Sequence, residues 1–124
     1  MKSELSIKSL KISQRENGEV VEAIVLVKRN DNEERINEMM QIGEAEDFLT
    51  ACWKAYTKRD GVGLGGIVFS RTTKEVVRTS NGLDFYLKTE YRFRGRKKKA
   101  TARGRTLAEA ISSLFKEILR LEKG

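Results

Sequence analysis

The sequence contains no histidine and only one cysteine. Histidine is the commonest acid–base group near neutral pH, so its absence excludes Ser–His and Cys–His catalytic pairs. The lone Cys52 cannot form a disulfide within the chain and offers no zinc-finger spacing. We therefore expect a non-catalytic protein without a metal site or a cofactor, in a reducing, cytoplasmic setting. Proline is absent as well, and nothing in the sequence explains this.

Long apolar runs are also missing. No stretch approaches the roughly 20 apolar residues that cross a bilayer, and the N-terminal Met1-Lys2-Ser3-Glu4 lacks the apolar segment of a signal peptide. The 124 residues are close to the commonest size of one domain. We therefore expect a single soluble domain over residues 1–124 that does not contact a membrane.

Charge is abundant and unevenly distributed. Residues 1–65 hold 10 lysines and arginines against 12 acidic residues, whereas residues 66–124 hold 15 against 6. Solubility alone does not require such a separation of charge. The asymmetry therefore indicates a polyanionic partner for the second half.

Two Asn-Gly pairs, Asn17-Gly18 and Asn81-Gly82, lie 64 residues apart. This dipeptide is the strongest short-range signal for a β-hairpin, and each pair is followed by an apolar alternation of period two. We therefore expect an internal repeat, with repeat 1 over about residues 1–60, a Gly-rich linker at 61–66 and repeat 2 over about 66–124.

The two repeats predict an α+β fold of two β-β-β(-β)-α units, with antiparallel sheet or sheets packed on two helices. For repeat 1 we expect strands at 5–13, 20–29 and 35–42 and a helix at about 45–58. For repeat 2 we expect strands at 66–70, 74–79, 83–94 and 97–103, and then a helix. That helix begins at Thr106, which forms a capping box with Glu109.

The most informative segment is the basic hairpin of residues 88–105, which carries nine basic residues and one acid. A turn at Gly95-Arg96 would place Arg92 opposite Lys99 and Arg94 opposite Lys97. Like charges directly opposite in a sheet are unfavourable, which indicates a counter-charge from outside, such as phosphates. The predicted nucleic-acid-binding residues are Tyr86, Lys88, Arg92, Arg94, Arg96, Lys97, Lys98, Lys99, Arg103 and Arg105.

Other interpretations of the same residues stay open. The basic hairpin could dock on an acidic protein, as an effector-binding or regulatory module would, or could serve solubility alone. Val20, Ile24 and Leu26 make the second strand apolar on both faces, which favours a homodimer. The cluster does not distinguish DNA from RNA, or single from double strands.

Three further motifs have simpler structural explanations. Gly61–Gly66 formally matches the dinucleotide-binding pattern, but a helix precedes it where that motif has a strand. Asp84, Glu90 and Arg92 only superficially resemble the site of a metal-dependent nuclease. Trp53 is expected to pack in the core with Tyr56.

Repeat 2 resembles the PC4-like and Whirly group of single-stranded nucleic-acid binders. The resemblance is carried by the long strand at 83–94, the basic turn Gly95-Arg96-Lys97-Lys98, the next strand and the terminal helix with Leu114-Phe-Lys-Glu-Ile118. It implies contacts to a single strand from the strands, namely from Lys88, Arg92, Arg94, Lys97 and Lys99, while the helices pack a dimer. The glycines before each helix, Gly43 and Gly104, also resemble the regulatory domain of isopropylmalate synthase-type enzymes, which implies a dimer with a small effector.

Overall fold

The computed structural model describes residues 4–29, 32–42, 48–57 and 67–123. The chain divides into two compact units, residues 1–63 and 64–124, and each unit has the element order β-β-β-α. The elements are β1 Glu4–Arg15, β2 Gly18–Arg29, β3 Asn32–Gln41, α1 Phe48–Thr57, β4 Val68–Thr79, β5 Gly82–Phe93, β6 Arg96–Gly104 and α2 Leu107–Lys123.

Each unit contains one antiparallel three-stranded sheet, in the order β1-β2-β3 or β4-β5-β6. The predicted α+β class, the antiparallel sheets and the order of strands followed by one helix in each repeat are therefore confirmed. The boundary between the two units falls between residues 63 and 64, which is between the two predicted repeats. The linker predicted at residues 61–66 lies outside the described residues. That both repeats fold as one domain stays a prediction.

In the first unit, the β1–β2 hairpin forms at the Asn-Gly pair as predicted, with Glu16-Asn17 as the loop and Gly18 as the first residue of β2, opposite Arg15. Gly18 has a φ of 116°, a conformation that glycine adopts without steric cost. One face of β2, with Val21, Ala23 and Val25, is fully buried, and α1 packs against this sheet. The described part of the predicted helix at 45–58 is Phe48–Thr57, because residues 43–47 lie outside the described ranges.

The aromatic side chains of α1 belong to the core. Trp53 and Tyr56 are 4% and 1% exposed, with ring centroids 6.2 Å apart, so their predicted packing role is confirmed. Of the residues of α1 only Lys54 is exposed. A helix with apolar residues on every side is buried on every side. It therefore lacks the one-sided apolar stripe that marks an amphipathic helix in a sequence.

In the second unit, Gly82 has a φ of 122° and the second Asn-Gly hairpin forms as predicted. The expectation of separate strands at 66–70 and 74–79 is wrong, because β4 is one strand that pairs with β5 along its whole length. A β-bulge between Phe69 and Arg71 inserts Ser70 as an extra residue. The bulge interrupts the alternation of apolar residues without ending the strand.

The helix α2 covers β5 and β6 from one side. Its face with Ile111, Leu114 and Ile118 is buried. The ring centroids of Phe115 and Phe69 are 6.1 Å apart. None of the helices in the described ranges is both long enough and apolar enough to cross a membrane.

The start of α2 is fixed by a cap and by a close approach. The backbone N–H of Glu109 donates to Thr106 Oγ1 at 3.0 Å, and the Arg105 N–H donates to Glu109 Oε2 at 3.1 Å. The predicted capping box is thus present, although the Glu109 carboxylate accepts from the backbone N–H of Arg105 instead of that of Thr106. A Cβ at Gly104 would lie only 2.5 Å from the backbone nitrogen of Ala110, so this site requires glycine.

Candidate nucleic-acid interface

The basic hairpin turns at Arg94-Gly95, one residue earlier than predicted. Arg94 has a φ of 52° and Gly95 a φ of 76°, and two positive φ values in a two-residue loop define a type I′ turn. Phe93 therefore pairs with Arg96, and each residue of β6 faces a partner two residues away from the predicted one. The predicted turn at Gly95-Arg96 is wrong, because the loop consists of Arg94 and Gly95 and the glycine occupies its second position.

A shift of two residues preserves the faces of the strands, since side chains alternate with a period of two. It changes the pairs, however. Arg92 lies opposite Lys97, and Lys99 lies opposite Glu90 with its Nζ 3.9 Å from a carboxylate oxygen. The predicted pairs Arg92/Lys99 and Arg94/Lys97 do not form, so one like-charge pair remains on this face instead of two.

The face of the β4-β5-β6 sheet that lies away from α2 is named here the basic face. It carries six exposed cationic side chains, an aromatic ring at Tyr86 and three acids. The cations are Arg71, Lys88, Arg92, Lys97, Lys99 and Arg103, and the acids are Glu75, Asp84 and Glu90. Among the described residues, the only ion pair of these six cations joins Lys99 to Glu90.

Cross-strand pairing arranges the basic face in rows of three residues. Along the sheet the rows are Val68-Arg92-Lys97, Arg71-Glu90-Lys99, Thr73-Lys88-Thr101 and Glu75-Tyr86-Arg103. A shallow groove of about 470 Å³ follows the last two rows. Tyr86 is 36% exposed in this groove, so one aromatic ring and several cations share a surface that a ligand can reach.

Four of the predicted binding residues lie outside the basic face, namely Arg94, Arg96, Lys98 and Arg105. Arg94 is in the turn, with its guanidinium 5.0 Å from the centroid of the Phe93 ring. Arg96 lies on the helix side of the sheet, opposite Phe93. Arg105 follows the end of β6, where its backbone caps α2.

Lys98 requires a correction. It lies on the helix side of β6, where its ammonium group is half-buried and forms a salt bridge with Glu122, whose side chain is only 2% exposed. Lys98 Nζ also lies 3.0 Å from the second carboxylate oxygen. Because Lys98 neutralises a buried carboxylate, it does not belong to the basic face.

The same carboxylate influences a buried tyrosine. Tyr91 is fully buried on β5, and its hydroxyl lies near the Glu122 carboxylate but forms no hydrogen bond of standard geometry among the described residues. Burial, with a smaller contribution from the negative charge of Glu122, raises the pKa of Tyr91 to about 12. Tyr91 therefore stays neutral at physiological pH.

Sequence reasoning missed Arg71 and the polar residues of β4 on the basic face. Without the bulge, Arg71 would share the core face of Phe69; the extra residue at Ser70 turns it outward, opposite Glu90. The 64-residue offset between the Asn-Gly pairs predicts one long strand, because it places Glu4–Arg15 on Val68–Thr79, but it does not locate the bulge that turns Arg71 outward.

Within the described ranges, no three acidic or cysteine side chains come together in a way that could hold a metal ion. Asp84 and Glu90 lie on β5 three rows apart along the basic face. No protein-family model, curated protein or solved structure matches this chain. The resemblances to single-stranded nucleic-acid binders and to the isopropylmalate synthase regulatory domain therefore stay predictions.

Proposed function

We propose that this protein is a non-catalytic nucleic-acid-binding protein that binds single strands on the basic face. The observation that carries the proposal is the exposure of six cations on one sheet face, of which only Lys99 is paired among the described residues. Phosphates supply the missing counter-charge, and each neutralised phosphate releases condensed counterions, which drives binding.

The pair of Arg92 and Lys97 is the strongest part of this argument. The two residues face each other directly, both are exposed, and neither has an acidic partner among the described residues. Their repulsion costs stability in the free protein. A phosphate bound between them removes that repulsion, and the arginine adds planar, bidentate hydrogen bonding to the phosphate oxygens.

Tyr86 supports the preference for single strands. A base stacks on an exposed ring only when it is unpaired, and aromatic residues on open sheet faces serve single-strand binding in this way. The three-stranded sheet also presents a broad surface, whereas the major groove of duplex DNA admits a helix or a two-stranded ribbon. The aromatic ring and the cations together therefore suit an extended strand.

The proposal includes a cytoplasmic location, which the single cysteine supports; Cys52 is buried. A homodimer remains a prediction. Of the three residues that suggested it, Ile24 is 38% exposed, whereas Leu26 is buried at 4%.

Fluorescence anisotropy with labelled single- and double-stranded DNA and RNA, at about 50 and 200 mM salt, tests the proposal. If all six cations contact phosphates, affinity for single strands should fall roughly 100- to 1,000-fold over this range. Tighter binding of a duplex would support a nucleic-acid ligand but would contradict the proposed preference for single strands.

Absence of binding to any nucleic acid at the lower salt concentration would overturn the proposal. In that case a pull-down that survives nuclease treatment would favour the alternative, an effector or regulatory module that docks on an acidic protein.

A further inference from the structure

The groove on the basic face ends in a row of three chemically different side chains. Glu75 on β4, Tyr86 on β5 and Arg103 on β6 are direct cross-strand partners. Directly opposed residues have Cβ atoms about 5 Å apart, so the carboxylate and the guanidinium flank the ring from opposite sides, about 10 Å from each other at their Cβ atoms.

All three side chains are available to a ligand. Glu75 and Arg103 are exposed, and neither forms an ion pair or a side-chain hydrogen bond within the described parts of the chain. Tyr86 keeps 36% of its surface exposed. The groove of about 470 Å³ lies in the size range of sites that hold one small ligand.

A base stacked on Tyr86 would present one edge to the carboxylate and a second edge to the guanidinium, and the long side chains of Glu75 and Arg103 can reach two edges that meet at an angle. The carboxylate accepts two hydrogen bonds and therefore selects an edge with two neighbouring N–H groups. The guanidinium donates two and selects an edge with two neighbouring acceptors. Guanine is the base with both edges, since it carries N1–H beside the N2 amino group and O6 beside N7.

The other bases satisfy at most part of the row. Adenine offers one amino group and no second donor beside it, and its N7 lies next to that amino group instead of next to an acceptor. Thymine and uracil have a single N–H between two carbonyl oxygens. Cytosine has one amino group. Each of these leaves a charged side chain without its second hydrogen bond.

We infer that the row Glu75-Tyr86-Arg103 is a guanine-binding subsite of the basic face. The inference rests on the proposed function and adds base specificity to it. Lys88, the next outward residue of β5, lies beside the subsite, where its ammonium group would be available to a neighbouring phosphate. The equivalent row of the first unit, Lys11-Glu22-Met39, contains neither an aromatic ring nor a guanidinium.

The test uses short labelled oligothymidylates that carry one central dG, dA, deoxyinosine or 7-deaza-dG. We expect dG to bind roughly 5- to 100-fold more tightly than dA, which is the discrimination of a good bidentate contact. Deoxyinosine lacks the N2 amino group and 7-deaza-dG lacks N7, so each should lose part of this advantage.

Two variants assign the two edges. Glu75→Gln should remove the advantage of dG over deoxyinosine, and Arg103→Lys should remove its advantage over 7-deaza-dG while it keeps the charge. Glu90→Gln is the matched control, because it removes one negative charge from the same face outside the row. It should raise the affinity for every oligonucleotide alike and leave the dG-to-dA ratio unchanged.

Equal, salt-sensitive affinity of the unmodified protein for the dG and dA oligonucleotides would overturn the guanine subsite and leave the proposed function intact. Absence of binding to all of them would overturn both. A dG preference that survives in Glu75→Gln and in Arg103→Lys would place the specificity outside this row and would likewise overturn the inference.

Discussion

The two units share one strand plan and differ in what their outer faces carry. Each strand of the second unit begins 64 residues after its counterpart in the first, and the central strands pair with equivalent partners. Lys28 faces Glu33 in the first unit with 3.3 Å between their charged atoms, whereas the equivalent pair in the second is Arg92 and Lys97. The fold therefore tolerates either arrangement, and the like-charge pair is not a structural requirement.

Residues at equivalent sequence positions of the two units differ as well. Position 27 of β2 is valine and its counterpart on β5 is Tyr91. In the second unit, α2 begins at Leu107, three residues after β6 ends at Gly104. Both features of the second unit can be tested separately.

The largest expected effect is on binding. Arg92→Glu with Lys97→Glu places two carboxylates where two cations faced each other, and we expect it to weaken single-strand affinity roughly 100-fold or more at low salt. Anisotropy titration measures the loss, and circular dichroism checks that the sheet is intact.

The matched control for this variant lies on the equivalent face of the first unit. Lys28→Glu with Arg35→Glu makes the same change in net charge and also creates an opposed pair of carboxylates, with Glu33. We expect a much smaller loss from it. Equal losses from the two double variants would mean that net charge, and not the basic face, attracts the nucleic acid.

The second prediction concerns the short connection between β6 and α2. Gly104→Ala forces a Cβ against the backbone of Glu109 and Ala110, with contacts of 2.5 to 2.9 Å. Overpacking of this kind costs about 1–3 kcal/mol, because backbone cannot move aside as a flexible side chain can. Urea denaturation measures the loss, with Lys74→Ala at an exposed site of β4 as the control; equal midpoints for the two variants would refute the tight approach.

The third prediction uses the buried hydroxyl that has no counterpart in the first unit. The pKa of Tyr91 is about 12 in the folded protein and about 10 when unfolded, so the unfolded chain loses this proton first as the pH rises. Stability is then complete below pH 10 and decreases toward pH 12, by at most about 1.4 kcal/mol per pH unit.

Tyr91→Phe should remove this decrease. At neutral pH the change in stability should be small, because the deleted hydroxyl is buried near Glu122 without a hydrogen bond of standard geometry among the described residues. Other groups titrate in the same range, so the quantity to compare is the difference between the two proteins at each pH, from urea denaturation. A constant difference from pH 8 to pH 11 would contradict the assignment.

Much of the fold could be predicted from the sequence, because the determining signals are local. The Asn-Gly pairs fix two hairpins, and the spacing of Leu114 and Ile118 fixes the apolar face of α2. The outward direction of Lys88 and Arg92 was also predictable. It depends only on alternation along a strand, which a register error of two residues does not alter.

The remainder depends on interactions that local patterns do not encode. Ser70 is an extra residue in β4, and a bulge reverses the alternation without a sequence signal strong enough to locate it. The salt bridge of Lys98 with Glu122 joins β6 to the last turn of α2, so it follows from helix packing. Both errors affected the candidate site. The undetected bulge left Arg71 out of the predicted set, and the undetected salt bridge wrongly added Lys98, which pairs with Glu122.

The smallest expected effect concerns the tip of the basic hairpin. Arg94 has a positive φ, which costs an ordinary side chain about 1–2 kcal/mol, and asparagine is preferred at this position of a type I′ turn. Repeat 1 has Asn30 at the equivalent sequence position. We therefore expect Arg94→Asn to stabilise the protein by about 0.5–1 kcal/mol in urea denaturation and to weaken single-strand binding only a few-fold, because one charge outside the basic face is lost. A loss as large as that of Arg92→Glu with Lys97→Glu would move the centre of the binding surface from the sheet face to the hairpin tip.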